Sequence, residues 1–149
     1  MNAQNQSHLR GLADEFGEST NSIRKELNNL TSAGFLVKQN DKNKITYQAN
    51  IEHPFFNNIQ DIIRKYLGLD KLLEQILSRM GNVDQVVLVG DIAQGKDTGQ
   101  IEVLICGEKL NDRYINYLTE RLQELIDREV IFELVNEKTK DQGLVLFEK

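Results

Sequence analysis

The sequence predicts an α+β protein in three parts: a helix-turn-helix with a two-stranded wing over residues 1–52, a helical connector over 53–81 and a small α/β domain over 82–149. Three observations carry this prediction. Apolar residues keep a helical period in two short runs, at 9–16 and 19–33, each closed by a glycine. Two further helical runs follow at 55–66 and 69–80, with Gly68 between them. Beyond Gly81 the pattern changes to short β-prone runs around one long helical run, which marks a strand-and-helix domain.

In the first part, Leu9, Leu12, Ala13 and Phe16 recur at helical spacing, and Gly17 stands where a left-handed C-terminal cap belongs. Ser19 supplies an N-cap hydroxyl for a second helix, which runs to about Ala33 with Ile23, Leu27 and Leu30 at i, i+4 and i+7. Gly34 ends it. Two short helices joined by a glycine-containing turn form the helix-turn-helix pattern. Phe35-Leu36-Val37 and Ile45-Thr46-Tyr47 then flank the polar turn Asn40-Asp41-Lys42-Asn43, which predicts the wing. With Ile23, Leu27 and Leu30 facing inward, the outer face of the second helix carries Thr20, Asn21, Arg24, Lys25 and Asn28. Arginine pairs with guanine and asparagine with adenine in the major groove, while threonine and lysine hold phosphates. Lys42 and Lys44 of the wing join these residues as candidate DNA contacts.

Charge divides the chain the same way. The total is −5, which argues against a protein that coats nucleic acid. Residues 1–50, however, hold six basic and five acidic side chains, a net of +1, and the remainder holds twelve and eighteen, a net of −6. Only the first segment is a plausible neighbour of DNA. The single cysteine, Cys106, excludes an internal disulfide and an all-cysteine metal cage. No apolar run approaches the ~20 residues of a membrane span, and residues 1–8 lack the regions of a signal peptide, so a cytoplasmic protein is expected.

In the connector, Phe55, Phe56, Ile59, Ile62, Ile63 and Tyr66 follow Pro54, and Leu69, Leu72, Leu73, Ile76, Leu77 and Met80 repeat the spacing. Such stripes bury against protein, either as core or as a homodimer contact through the helices at 55–67 and 69–80. His53 has no partner at metal-ligand spacing and Cys106 has no neighbouring base, so both are expected to be structural. In the last part the pattern predicts strands at 83–89, 101–106 and 130–135, a helix from about 111 to 127, and an added edge strand at 143–147. The loop Gly90-Asp91-Ile92-Ala93-Gln94-Gly95 leaves the first of these strands without the P-loop or dinucleotide spacing.

Two resemblances extend this. LRGLADEFGESTNSIRKELNNLTSAGFLVK is similar to the winged helix-turn-helix of ArsR-like bacterial transcriptional regulators over residues 9 to about 50. The resemblance implies a DNA-binding regulator acting on double-stranded DNA, generally as a dimer. That family places another helix before the pair, which the polar residues 1–8 do not supply, so the Leu12, Phe16 and Leu30 surface is expected to lack its cover.

VVLVGDIAQGKDTGQIEVLI resembles the first strand, glycine loop and second strand of the minimal nucleotidyltransferase family, in a match over roughly 53–135. The family has a Gly-Ser loop, two aspartates at i and i+2 on the second strand, and a third carboxylate from a neighbouring strand, which together hold magnesium ions. Gly90 and Gly95 fit, but Asp91 takes the serine position, Gln100 and Glu102 take the aspartate positions, and the nearest third carboxylate is Glu133. An anion at Asp91 repels an approaching triphosphate by ~1–4 kcal/mol at about 4 Å. The resemblance therefore implies a degenerate nucleotide site of Gly90, Asp91, Gly95, Gln100, Glu102 and Glu133, with no catalytic residue, metal or cofactor assigned. The expectation is a DNA-binding regulator whose C-terminal domain serves dimerisation, partner contact or ligand sensing. An active metal-dependent nucleotidyltransferase and a protein-binding adaptor are the alternatives.

Overall fold

The computed structural model describes residues 3, 5–140 and 143–149, which divide into two compact units, 3–60 and 61–149. The first unit contains β1 (Gln6–Ser7), α1 (Leu9–Phe16), α2 (Thr20–Ser32), β2 (Leu36–Asp41), β3 (Lys44–Ala49) and the first turn of α3 (Phe56–Tyr66). Gly17 ends α1 in the left-handed conformation (φ 63°, ψ 30°), which a residue without Cβ adopts at little cost. Two residues later the Ser19 hydroxyl accepts the Ser22 N–H at 3.2 Å and opens α2. The Gly34 and Phe35 N–H groups close its last turn onto Thr31 and Leu30 carbonyls.

β2 and β3 pair antiparallel with Asp41 opposite Lys44, so the connection is the two residues Lys42 and Asn43. Both have positive φ, 41° and 73°, as the tight hairpin turn that follows strand twist requires. β1 adds a third strand beside β3, with Gln6 opposite Gln48. The local pattern gives no sign of β1, because its pairing is made by residues some forty positions away. Ala13, Leu27 and Tyr47 are the buried apolar residues here. Of the surface expected to lack its cover, Phe16 is 65% and Leu30 42% exposed, although Leu30 shares the spacing of Ile23 and Leu27, and Leu12 is half-buried. His53 stacks on Phe35 with ring centroids 4.1 Å apart. Its Nδ1 accepts the Phe55 N–H at 3.1 Å, so the proton sits on Nε2, which donates to the Ala33 carbonyl at 3.2 Å.

The second unit continues α3 and adds α4 (Leu69–Arg79), β4 (Asn82–Val89), α5 (Gly90–Ala93), β5 (Gln100–Glu108), α6 (Asp112–Ile126), β6 (Glu129–Val135) and β7 (Leu144–Glu148). The strands form one mixed sheet in the order β6-β5-β4-β7. β4 runs antiparallel to both β5 and β7, whereas β5 and β6 are parallel, joined by α6 as a crossover helix. Alternation along β5 sends Ile101, Val103 and Ile105 into a core with Leu72, Ile76, Leu118 and Leu122 of α4 and α6. Gln100, Glu102, Leu104 and Cys106 consequently occupy the opposite face, where Leu104 and Cys106 are buried as well, at 8% and 5% exposure.

Residues 90–93, expected as part of a loop, form one helical turn instead. Its cause is burial, since Ile92 and Ala93 are 1% and 4% exposed and need a backbone that turns both inward. Among the described residues, no helix is long and apolar enough to cross a membrane.

Candidate functional site

Two surfaces hold the residues singled out by sequence, one in each unit. On the first unit, Thr20, Asn21, Arg24, Lys25 and Asn28 of α2 are all exposed, while Leu27 on the same helix is buried. Arg24 Nη1 donates to Asn21 Oδ1 at 3.4 Å, a weak contact that a stronger acceptor would displace. Lys42 lies in the hairpin turn and Lys44 at the start of β3, both exposed. Glu18 and Glu26 are exposed as well, so the positive charge along this helix is modest.

The second surface is the face of the four-stranded sheet that carries Gln100 and Glu102. The strand registers arrange it in rows: Glu129 beside Gln100; then Ile131, Glu102 and Val89; then Glu133, Leu104, Val87 and Val145. Gln100 and Glu102, two residues apart, thus share one face at the mouth of the Gly90 turn. Gly90 has φ 69°, and a Cβ built there would overlap the Glu102 carboxylate. The Glu102 side chain lies directly on the turn's backbone. Asp91 is exposed in the following turn, as is Gly95.

The acid nearest Gln100 is Glu129 rather than Glu133. Gln100 Nε2 donates to Glu129 Oε2 at 2.6 Å, and Glu133 is placed two rows further along, beside Leu104. Both glutamates have the same parity on β6, so alternation cannot choose between them and only the parallel register does. Sequence also gave no sign of the ion pair at the head of these strands. Arg128 donates to both Asp97 carboxylate oxygens, through Nη1 and, at 2.9 Å, through Nη2, and lies 5.6 Å from the Tyr66 ring centroid. The Arg128 hydrogen bond holds the Asp97 carboxyl below the usual aspartate range against partial burial, with help from the Gly99 N–H and the guanidinium charge. The same bond raises Arg128. Cys106 is buried, and burial first, then the Asp84 charge, pushes its thiol up, away from nucleophilic character.

The donor set does not fit a magnesium cluster of the kind the nucleotidyltransferase resemblance implies. The carboxamide of Gln100 supplies a neutral oxygen while its nitrogen engages Glu129. Among the described residues, no three His, Cys, Asp or Glu side chains converge on a position that could hold a metal ion.

No protein-family model matches the chain, and no curated protein matches it. Among solved structures, one described as a mutant of the toxin-antitoxin MntA-HpeT aligns with a TM-score of 0.43 and 18% identity, over 54% of this chain and 72% of that one. A likeness of that size establishes neither activity nor partner. The architecture that stands by itself is a mixed α and β chain with two separate sheets.

Proposed function

We propose that this chain is a DNA-binding transcriptional regulator in which residues 1–52 act as a winged helix-turn-helix, joined by a helical connector at 53–81 to a nucleotidyltransferase-like domain without catalysis at 82–149. The observation that carries the reading is the α2 face: Thr20, Asn21, Arg24, Lys25 and Asn28 all point to solvent from a helix preceded by a tight turn and followed by a tight hairpin. Those side chains match the hydrogen-bonding edges of the major groove, and Lys42 and Lys44 match phosphate. The few cations leave little sequence-independent attraction, so binding is expected to depend mainly on base contacts. In this reading the protein is a cytoplasmic homodimer, and its C-terminal unit serves dimerisation, partner contact or ligand sensing. Titration of labelled duplexes drawn from the chain's own control regions, at several salt concentrations, tests it. Saturable binding to one duplex over scrambled competitors supports the reading, and equal binding to all of them contradicts it.

A second reading is an active nucleotidyltransferase, favoured by the seating of Glu102 on the Gly90 turn with Glu129 in the adjacent row. The neutral Gln100 and the anionic Asp91 weigh against it. Incubation with magnesium and α-labelled nucleoside triphosphates separates the two. Label appearing on the protein, or on an added protein or nucleic acid, selects the enzyme.

A further inference from the structure

β6 and β7 end the four-stranded sheet on its two sides and run in the same direction, so the chain between Val135 and Leu144 has to pass from one side to the other. Gln85 fixes the face on which it passes. Val86 and Leu88 belong to the core, which leaves Gln85 and Val87 on the face of their partners Cys106 and Leu104. There Gln85 Nε2 donates to the Thr139 carbonyl at 3.2 Å and Gln85 Oε1 accepts the Thr139 N–H at 3.0 Å, so one carboxamide stands in for a strand partner. Gln85, Val87, Leu104 and Cys106 are all buried, although none of them belongs to the core packed against α4 and α6. Glu137 and Lys138 lie close enough to the Cys106 thiol for their charges to act on it. Residues 136–140 thus lie over this strip of the sheet.

The segment is lightly held. Asn136, Glu137, Lys138 and Lys140 are exposed, so it buries little of itself. Besides the two Gln85 bonds, Lys138 Nζ reaches Glu148 Oε1 at 3.2 Å and the Lys149 carbonyl at 3.3 Å, exposed contacts for which water competes. Thr139 Oγ1 is buried and, among the described residues, has no hydrogen-bond partner. A hydroxyl left in that state costs free energy that opening to water returns. Segments with few buried contacts open without unfolding the sheet that supports them. We propose that residues 136–140 form a cover latched by Gln85, which opens locally while the sheet stays folded and so gates access to Val87, Leu104 and the Cys106 thiol. This inference concerns the second unit alone and does not rest on the regulator reading.

The test uses the full chain, whose only cysteine is Cys106, and the disulfide reagent dithiobis(nitrobenzoate), which releases one coloured thiolate for each thiol it modifies. Rates are measured at several urea concentrations below the unfolding transition and compared with the rate of global unfolding. The expected result is a reaction faster than unfolding and nearly independent of urea, because local opening exposes little surface. Gln85→Met keeps the shape of the side chain without its two hydrogen bonds and should react roughly tenfold faster than wild type. Thr139→Val keeps the shape of the threonine without its unpartnered hydroxyl and should react several-fold slower. The two variants move in opposite directions, so a failure of the first to fold leaves the second decisive. Wild-type labelling that is no faster than unfolding and as steep in urea, labelling as fast as that of the unfolded chain, or a wild-type rate in either folded variant would overturn the proposal.

Discussion

Gln100 and Glu129 are hydrogen-bonded at 2.6 Å across the parallel β5–β6 pair, amide nitrogen to carboxylate oxygen. A carboxamide is well suited to this partner, since it donates a hydrogen where a second acid would only repel. Gln100→Asp should therefore set two carboxylates against one another at the head of the sheet and lower stability by about 1–2 kcal/mol at neutral pH and low salt. The loss should shrink when magnesium is added, because a cation between two acids replaces the missing hydrogen. Thermal melts of wild type and variant, with and without magnesium, measure both effects.

Gly90→Ala should cost about 1–3 kcal/mol, because an L-residue at positive φ is strained and its methyl group meets the Glu102 carboxylate. Combining it with Glu102→Ala should recover the part due to overlap and leave the backbone part. Urea denaturation of both single variants and the double gives the coupling. Strictly additive losses would mean that the carboxylate does not sit on this turn.

Arg128→Gln removes the bidentate partner of Asp97. The Asp97 carboxyl titrates below its ordinary value in the folded chain, so its contribution is fully present above the unfolded pKa of about 3.9 and is lost as pH falls through the lower folded value. The variant should consequently be less stable at pH 7 and should lose less on going to pH 3 than wild type does. The Asp97 side chain is 46% exposed, and solvent screening holds the difference to about 0.5–1 kcal/mol. Denaturation midpoints at the two pH values provide the comparison.

Ser19→Ala removes the side-chain acceptor for the Ser22 N–H and should destabilise the first unit by about 1 kcal/mol. Amide exchange should quicken in the first turn of α2 and stay unchanged in β4 and β5.

Local chemistry made much of this architecture legible. Gly17, Ser19 and Gly34 mark helix ends by conformations and hydrogen bonds that belong to single residues, and the α1, α2 and hairpin boundaries follow them closely. The β-prone run Ile101–Cys106 identifies a strand by its composition, and residues 103–106 are buried on both faces. What escaped depends on residues distant in the chain. β1 is two polar residues whose strand character comes only from β3. The Asp97–Arg128 pair joins positions thirty-one apart, and the choice of Glu129 over Glu133 rests on parallel register. The turn at 90–93 looked like a loop because its flanking glycines outweighed the apolar pair Ile92-Ala93.

The most direct test of the regulator reading is selection from a pool of random duplexes by the full chain, run in parallel with Arg24→Ala. Enrichment of one sequence by the wild type, with affinity for it reduced by about 1–3 kcal/mol in the folded variant at the same salt concentration, is the predicted result. A wild-type chain that enriches no sequence, or an Arg24→Ala chain that binds the enriched duplex as tightly as wild type, would contradict the assignment of α2 as the DNA-reading helix.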